Sequence, residues 1–593
     1  MRELTRWRTF AVALIAAQAV MLFVILRQSY FREDDYAILA NFAQKPFFSY
    51  VFEPFSGHLL SGQLLLFAAP QLISPLNFSV VVLVLVALQS CAGAIVWRLL
   101  CELVGASWPA IAGLVVFLFA PLATVSVIWY AAAITTIPLQ LAVAGTLLHH
   151  VRFIRTRRTR EIVAACAFFV VGVFFLEKAL IALLVLACVT VLWFPAGRGV
   201  RGALRSLRRD RRAWAAYLGI VALYLPLYLA VTTQIESPRP SVGTYPLAIW
   251  RALTGGAIPY LLGGPFADAE RAVDSTPLVT HGWAYLVGFV VFAVLTVVRR
   301  RSAWRAWLLL GIYLVAEVTV TTFVRGGYFG SLVGLAPRYL ADLTLIAAIA
   351  LTLALLPVRS TDSMVDAASR LEAGRPHDTV PAPSGWEWGY VVFALMYVGL
   401  AFITSSYAVK GMSGAKIRAF VATARRDLAE LGEVAVYDAA TPPWVTALGS
   451  SRQVLQSMEL PVRFDTPTSQ LYTLDMDGHL RPSLVGAVTT GRLDPGACGT
   501  LVDNGARVRV DLNKALFNWR WVIRLDYFIG ADAALSVTAA GVRQEAVVRS
   551  ADHQLFLEVT GELDHIDLGL IGGTAPMCLT GLTVGTVTPQ PAP

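Results

Sequence analysis

Residues 11–39 read AVALIAAQAVMLFVILRQSYFREDDYAIL, an apolar run followed at once by a group of acids. The apolar part is long enough to cross a bilayer, since a spanning helix needs about 20 mostly apolar residues. Basic residues precede this run, but no small-residue cleavage site follows it, which favours a retained membrane helix over a signal peptide. The acids Glu33, Asp34 and Asp35 then lie at a membrane edge, and their charge there needs an explanation.

The composition extends this reading to most of the chain. Of 593 residues 56% are hydrophobic and only 15% are charged, more apolar surface than a water-soluble fold can bury. We therefore predict a mainly α membrane protein with a bundle of about eleven transmembrane helices. The apolar runs that predict these helices are residues 9–27, 78–100, 107–125, 130–148, 161–176, 179–195, 214–232, 283–298, 306–323, 339–357 and 388–406.

Arginine sets the predicted orientation. Three loops rich in arginine, 149–161, 196–213 and 299–305, fall on one side when the runs are counted in order. The positive-inside rule makes that side cytoplasmic, together with the N-terminus, so that the C-terminus and the acids lie outside a cytoplasmic membrane. This topology also accounts for the net charge of +9, so we predict a lipid bilayer and no nucleic acid as partner.

The composition changes after residue 406, and we predict three domains: a membrane domain over 1–406, an α/β connecting region over 407–494 and a β-sandwich over 495–593. Apolar residues at helical spacing in AKIRAFVATARRDLAELG predict a helix. Alternating residues in WVIRLDYFIG, ALSVTA, QLFLEV, HIDLGLI and LTGLTVGTV predict short antiparallel strands. The Pro-, Ala- and Ser-rich segment 359–386 predicts a flexible cytoplasmic loop.

The cysteines agree with this division. Four of the six lie in or beside apolar runs, where cysteine is a small core residue. Cys498 and Cys578 bracket the predicted sandwich, and an exported domain with two cysteines predicts a disulfide between them.

The acid group has two explanations. Glu33, Asp34 and Asp35 could simply cap the outer end of a helix. Alternatively, the paired carboxylates Asp34 and Asp35 could supply a general base or a metal ligand, because one carboxylate raises the pKa of its neighbour. Glu33 is predicted to be a surface charge at the helix edge.

Further ionisable residues are predicted on the same outer face. Arg338 could be a simple lipid-phosphate anchor and His58 an interfacial residue, but a buried acid within a span, such as Glu317, is a functional candidate by default. Taken together, acids and cations on one face predict a pocket for an anionic, lipid-linked substrate. The substrate-binding candidates are His58, Glu177, Lys178, Glu317, Arg338 and Tyr339.

This arrangement resembles the GT-C superfamily of integral-membrane glycosyltransferases. The resemblance covers about residues 1–406 and depends on the acid pair after the first span, with supporting parallels in His58, Glu177–Lys178 and Arg338–Tyr339. The β-rich C-terminal region resembles, more loosely, the carbohydrate-binding-module-like domains of actinobacterial cell-wall arabinosyltransferases and mannosyltransferases.

The resemblance implies an inverting enzyme that takes a sugar from a polyprenyl-phosphate carrier and transfers it to a cell-envelope glycan or glycoconjugate outside the membrane. It implies that Asp34 deprotonates the acceptor hydroxyl with Asp35 as its partner. His58, Lys178 and Arg338 would offset the charge on the departing phosphate. The resemblance leaves a divalent metal possible and unassigned, and implies no other cofactor.

Two other functions stay open. A transporter or flippase of lipid-linked sugars would use a similar bundle, although the repeated halves typical of transporters are not visible. A non-catalytic envelope protein that binds glycan through its outer domain is the third alternative.

Overall fold

The fold is described from a computed structural model. It covers residues 2–55, 57–197, 199–232, 238–265, 282–359, 387–412, 414–447, 449–496, 498–572 and 574–591. The chain divides into two compact units. The membrane unit comprises Met1–Phe31 with Lys45–Ala415, and the C-terminal unit comprises Arg32–Gln44 with Lys416–Pro593.

The membrane unit is helical. Its helices and helical turns are Arg2–Leu26, Phe47–Phe52, Ser61–Ile73, Phe78–Val104, Trp108–Phe119, Pro121–Val127, Tyr130–Thr156, Thr159–Phe175, Glu177–Ile181, Ala182–Trp193, Gly199–Arg209, Arg211–Thr232, Thr244–Arg251, Ala252–Gly256, Ile258–Leu261, Gly282–Arg299, Arg301–Ala303, Trp304–Phe329, Gly330–Leu335, Pro337–Leu340, Leu343–Leu355 and Glu387–Gly411. Within the described residues, 8 helices are long and apolar enough to cross a membrane, so the chain is a multi-pass membrane protein.

All eleven predicted apolar runs overlap helices, but three of the runs, 161–176, 179–195 and 339–357, overlap none of the 8 long apolar helices. The main helices in those three runs are Thr159–Phe175, Ala182–Trp193 and Leu343–Leu355, of 17, 12 and 13 residues. The predicted membrane bundle is confirmed, whereas the number of spans stays a prediction. The flexible loop predicted over 359–386 lies, apart from Arg359, outside the described residues.

The C-terminal unit combines the helices Asp34–Gln44, Gly414–Leu431 and Ser451–Gln456 with one curled sheet. Its strands are β1 (Val434–Val436), β2 (Val462–Arg463), β3 (Leu471–Leu474), β4 (Leu480–Thr490), β5 (Thr500–Val502), β6 (Arg507–Ile529), β7 (Ala533–Ala539), β8 (Val542–Val548), β9 (Gln554–Ile571) and β10 (Met577–Pro589). The main path of the sheet runs β2-β1-β3-β4-β10-β6-β9-β7-β8, and β5 pairs with β10.

The long strands explain the curl. β6 has 23 residues, and its pairing with β9 is interrupted between Asp511 and Trp519. Such irregularities bend a strand and let one sheet close over its own apolar face. The core is made by inward residues of alternating pattern, including Trp521, Leu535 and Leu568. The predicted C-terminal β domain is thus confirmed as one continuous sheet.

Two features of this unit refine the sequence prediction, and a third confirms it. β1 pairs in parallel with β2 and β3, within the region predicted as α/β. β4 begins at Leu480, so the sheet extends before residue 495. The predicted disulfide between Cys498 and Cys578 is present, with a Cα–Cα distance of 4.9 Å.

Candidate active site

The acid segment begins the helix Asp34–Gln44. The backbone N–H of Arg32 donates to Oδ2 of Asp35 at 3.0 Å, and the N–H of Asp35 donates to the carbonyl of Arg32 at 2.9 Å. This reciprocal pair resembles a capping box, in which a side chain in the first turn satisfies a backbone donor before the helix. Both acids also complement the positive end of the helix dipole.

The two aspartates of the pair therefore have different surroundings. Asp35 is fully buried, at 0% exposure, and its carboxylate takes part in the helix cap. Asp34 is exposed. The resemblance implied that Asp35 is the partner of Asp34, and this asymmetry makes Asp35 the buried member of the pair and Asp34 the exposed one.

Glu33 differs from the predicted surface charge. Its side chain is only 14% exposed, and its φ of 46° lies in the left-handed region. Its carboxylate accepts hydrogen bonds from the backbone N–H of Ala447 at 3.0 and 3.1 Å and from the hydroxyl of Thr446 at 3.2 Å. Glu33 thus ties the start of the acid helix to a turn within the C-terminal unit.

In the membrane unit, Lys178 is the centre of a buried polar network. Its Nζ donates to Oε1 of Glu317 at 2.5 Å, to Oδ1 of Asp342 at 2.5 Å and to the carbonyl oxygen of Tyr339 at 2.7 Å. Tyr313 donates its hydroxyl hydrogen to the other carboxylate oxygen of Asp342. Since an ammonium group has three N–H donors, these contacts engage all of them with protein acceptors.

The helix Trp304–Phe329 presents two members of this network on one face. Tyr313 and Glu317 are four residues apart, the spacing at which helical side chains are neighbours. Lys178 comes from the helical turn Glu177–Ile181, and Asp342 follows the short helix Pro337–Leu340. The network therefore joins three separate parts of the bundle.

His58 belongs to a second network. Its Nε2 lies 2.8 Å from a guanidinium nitrogen of Arg325, and its Nδ1 contacts Oε1 of Glu177. A guanidinium can only donate, so Nε2 must be the acceptor and the ring proton lies on Nδ1, where it is donated to Glu177. In this arrangement His58 is a neutral link between an arginine and a carboxylate.

Glu177 and Lys178 are adjacent, so the two networks meet at one helical turn. Oε2 of Glu177 and Oε2 of Glu317 are buried, and within the described residues neither has a hydrogen-bond partner. A buried acceptor without a donor is costly to the stability of the fold.

Arg338 projects from the turn that Lys178 holds. Its guanidinium carbon lies 4.8 Å from the ring centroid of Trp129 and 5.0 Å from that of Tyr339. Stacking on two aromatic rings fixes the plane of the guanidinium, and a fixed guanidinium suits bidentate binding of a phosphate.

Sequence reasoning identified His58, Glu177, Lys178, Glu317 and the pair Arg338–Tyr339. The structure brings the first four and the carbonyl of Tyr339 into two joined networks, and Arg338 lies against the rings of Trp129 and Tyr339. Sequence reasoning missed their partners, which are Arg325, Tyr313 and Asp342. A signal existed for Arg325, a cation at the end of an apolar run in VTVTTFVRGGYF. Asp342 lies in the predicted span 339–357 and could have been noticed as an acid within apolar sequence.

Among the described residues, no group of three or more His, Cys, Asp or Glu side chains is arranged to hold a metal ion.

The aromatic residues of β6 divide into two sets. Trp521 and Tyr527 belong to the core of the sheet, with 2% and 1% exposure. Phe517 and Trp519 are exposed at 65% and 55%, and their ring centroids lie 6.2 Å apart. An exposed pair of rings of this kind can stack on sugar rings.

No family model and no curated protein matches this sequence. Several solved structures are similar to it. ArnT from Cupriavidus metallidurans bound to undecaprenyl phosphate has 17% identity and a TM-score of 0.40, and the match covers 76% of this chain and 85% of that one. Arabinofuranosyltransferase AftD from Mycobacteria has 12% identity and a TM-score of 0.37, with coverage of 98% and 60%.

Arabinosyltransferase EmbB from Mycobacterium smegmatis has 12% identity and a TM-score of 0.34, and the match covers 99% of this chain and 65% of that one. This chain thus spans less than two thirds of the AftD and EmbB chains.

Proposed function

We propose that this protein is an inverting glycosyltransferase. It moves a sugar from a polyprenyl-phosphate carrier to a hydroxyl group of a cell-envelope glycan or glycoconjugate, on the extracytoplasmic side of the cytoplasmic membrane. The observation that carries the proposal is the asymmetric acid pair, an exposed Asp34 beside a buried Asp35 that caps the same helix. A general base needs one accessible carboxylate in a fixed position, and this pair provides it.

The reaction is a single displacement. Asp34 takes the proton of the acceptor hydroxyl while the oxygen of that hydroxyl attacks the anomeric carbon of the donor sugar. The bond from that carbon to the phosphate oxygen breaks, and the lipid phosphate leaves with the bonding electrons. The new glycosidic bond lies on the opposite face of the sugar, so the configuration is inverted.

The membrane unit supports a role in donor binding. Arg338 and Arg325 are its cations for the phosphate, because Lys178 is fully engaged by Glu317, Asp342 and Tyr339, and His58 is neutral. Lys178 then acts indirectly, by holding the carbonyl of Tyr339 and with it the turn that carries Arg338. The positive charge of these arginines, placed beside the departing phosphate oxygen, would stabilise the negative charge that develops there in the transition state.

The exposed rings of Phe517 and Trp519 support a third role, the binding of a polymeric acceptor. Stacking of sugar rings on aromatic side chains adds affinity but no chemistry. The C-terminal sheet is therefore proposed as an acceptor-binding, carbohydrate-binding-module-like domain.

The test is transfer from a radiolabelled polyprenyl-phosphate sugar in membranes that contain the protein. Because one similar structure holds undecaprenyl phosphate and two are named arabinosyltransferases, undecaprenyl-phosphate-linked arabinose is the first probe. Label should appear in a product without the lipid. Movement of intact labelled lipid across the bilayer without transfer would instead identify a flippase. If neither transfer nor lipid movement occurs, the result favours a non-catalytic binding protein.

A further inference from the structure

The contact between Glu33 and the turn 442–447 is not used by the proposed reaction, although Glu33 directly precedes Asp34. It lies wholly within the C-terminal unit. The backbone N–H of Ala447 is shared between both carboxylate oxygens of Glu33, and the N–H of Glu33 donates to the carbonyl of Val445 at 3.3 Å. The acid segment is thus held through its side chain and through its backbone.

The backbone of Glu33 is strained. A φ of 46° is uncommon for a residue other than glycine, asparagine or aspartate, and it persists only where surrounding contacts enforce it. The hydrogen bonds to Val445, Thr446 and Ala447 are such contacts. The left-handed residue turns the chain directly before Asp34, so it sets the direction in which the acid helix begins.

The turn that holds Glu33 is itself well anchored. Val445 is fully buried. The ring centroid of Trp444 lies 4.1 Å from Nζ of Lys416 and 5.6 Å from the ring centroid of Phe420. The hydroxyl of Thr446 also accepts from the N–H of Gly449 at 2.8 Å. These contacts connect the turn to the helix Gly414–Leu431.

A second anchor connects the segment between β1 and the turn to the sheet. A guanidinium nitrogen of Arg520 on β6 donates to the carbonyl of Asp438 at 2.8 Å, and Arg520 also pairs with Glu558 on β9. Burial raises the pKa of Glu558, and the charge of Arg520 limits that rise. The chain that leads from β1 to the turn is therefore fixed at both ends.

We infer that Glu33 is a positioning residue, through which the turn 442–447 of the C-terminal unit fixes the place of the proposed base Asp34. The inference rests on the proposed function and extends it. The C-terminal region would contribute to the chemistry itself as well as to acceptor binding. Misplacement of a reacting group by about 1 Å can cost about 100-fold in rate, so loss of this contact should lower turnover.

The experiment compares Glu33→Gly and Glu33→Gln with wild type in the full-length protein. Glycine accepts the left-handed backbone without strain and removes the side chain with its carboxylate, whereas glutamine keeps an oxygen that can accept from Ala447. Glu53→Gly is the matched control, since Glu53 is an acid of the next segment that pairs with Lys45 at 2.6 Å. Asp34→Asn is measured in parallel as the reference for loss of the base.

We expect Glu33→Gly to lower kcat by about 10- to 100-fold with the donor KM within about twofold of wild type. Glu33→Gln should recover part of the loss, and Glu53→Gly should match wild type. Hydrogen exchange should become faster in peptides covering 32–44 and 442–447 in Glu33→Gly, a readout that does not depend on activity. Thr446→Val combined with Glu33→Gly should cost less than the sum of the two changes, because both break one contact.

Two results would overturn the inference while leaving the proposed function intact. One is a Glu33→Gly protein as active as Glu53→Gly when Asp34→Asn is inactive. The other is a lowered kcat with unchanged hydrogen exchange, which would mean that Glu33 acts in the reaction directly. An active Asp34→Asn protein would instead refute the proposed base, whatever Glu33→Gly does.

Discussion

Nζ of Lys178 lies 2.5 Å from Oε1 of Glu317, although 139 residues separate them in sequence. The same ammonium group holds Asp342 and the carbonyl of Tyr339. A lysine so enclosed is a structural cation, so in the proposed reaction the positive charge that meets the phosphate comes from Arg338 and Arg325.

Loss of the Lys178 charge should destabilise the protein strongly. Lys178→Met leaves Glu317 and Asp342 as buried carboxylates without their cation, and breaking a buried ion pair costs about 3–5 kcal/mol. Thermal unfolding in detergent measures the effect. Lys45→Met is the control, because Lys45 forms one ion pair with Glu53 at 35% exposure. A Lys178→Met protein as stable as Lys45→Met would contradict the structural role.

Arg338 should act on the donor with little effect on stability. Arg338→Ala removes the stacked guanidinium, and we expect a higher donor KM and a lower kcat, because a phosphate is charged in both ground and transition states. Arg338→Lys should recover little, since lysine keeps the charge but not the planar stack on Trp129 and Tyr339. Transfer kinetics at varied donor concentration measure both constants, with exposed Arg158→Ala as the control. An unchanged donor KM in Arg338→Ala would exclude the phosphate contact.

His58 is expected to act as a neutral link and not as a cation. Glutamine carries one donor and one acceptor and can partly replace the imidazole between Arg325 and Glu177, whereas leucine cannot. His58→Gln should therefore retain much more transferase activity than His58→Leu. If His58 instead binds phosphate as an imidazolium, both changes will be equally damaging to transfer.

The exposed aromatic pair of β6 should matter only for large acceptors. A Phe517→Ala, Trp519→Ala protein should transfer sugar to a polymeric acceptor more slowly and to a short acceptor at the wild-type rate. Phe528→Ala is the matched control, because Phe528 is also exposed on β6, at 56%. Equal loss on both acceptors would exclude a role in acceptor binding. Removing the whole chain after residue 410 is a less specific test, because it also removes the partners of Glu33.

Local sequence pattern was sufficient for much of the fold. Every apolar run that predicted a span overlaps a helix, the helix at 414–431 and the long antiparallel strands are where period and composition placed them, and Cys498 pairs with Cys578. These features depend on side-chain periodicity or on one predicted compartment. The parallel strands β1, β2 and β3 are two to four residues long and show too little periodicity to be recognised.

The contacts of the candidate site were less predictable. Lys178 and Asp342 are 164 residues apart, and Arg325 and His58 are 267 apart, so their pairing depends on how helices pack and not on local spacing. The role of Glu33 could not be read from REDDY at all, because its partners lie 413 and 414 residues further on. Asp34 and Asp35 were predicted as a pair, but only their burial shows which of them is accessible.

The most direct test of the account is transfer by Asp34→Asn. Asparagine has nearly the shape of aspartate but cannot accept the proton of the acceptor hydroxyl, so transfer should fall by about 10²–10⁴ with folding and donor binding unchanged. Asp35→Asn should cost less in transfer, with reduced stability because it weakens the helix cap, and Glu53→Gln should behave as wild type. The measurement is transfer from a radiolabelled polyprenyl-phosphate sugar in membranes with matched protein levels. A protein carrying both Asp34→Asn and Asp35→Asn that still transfers at nearly the wild-type rate would contradict the proposed mechanism.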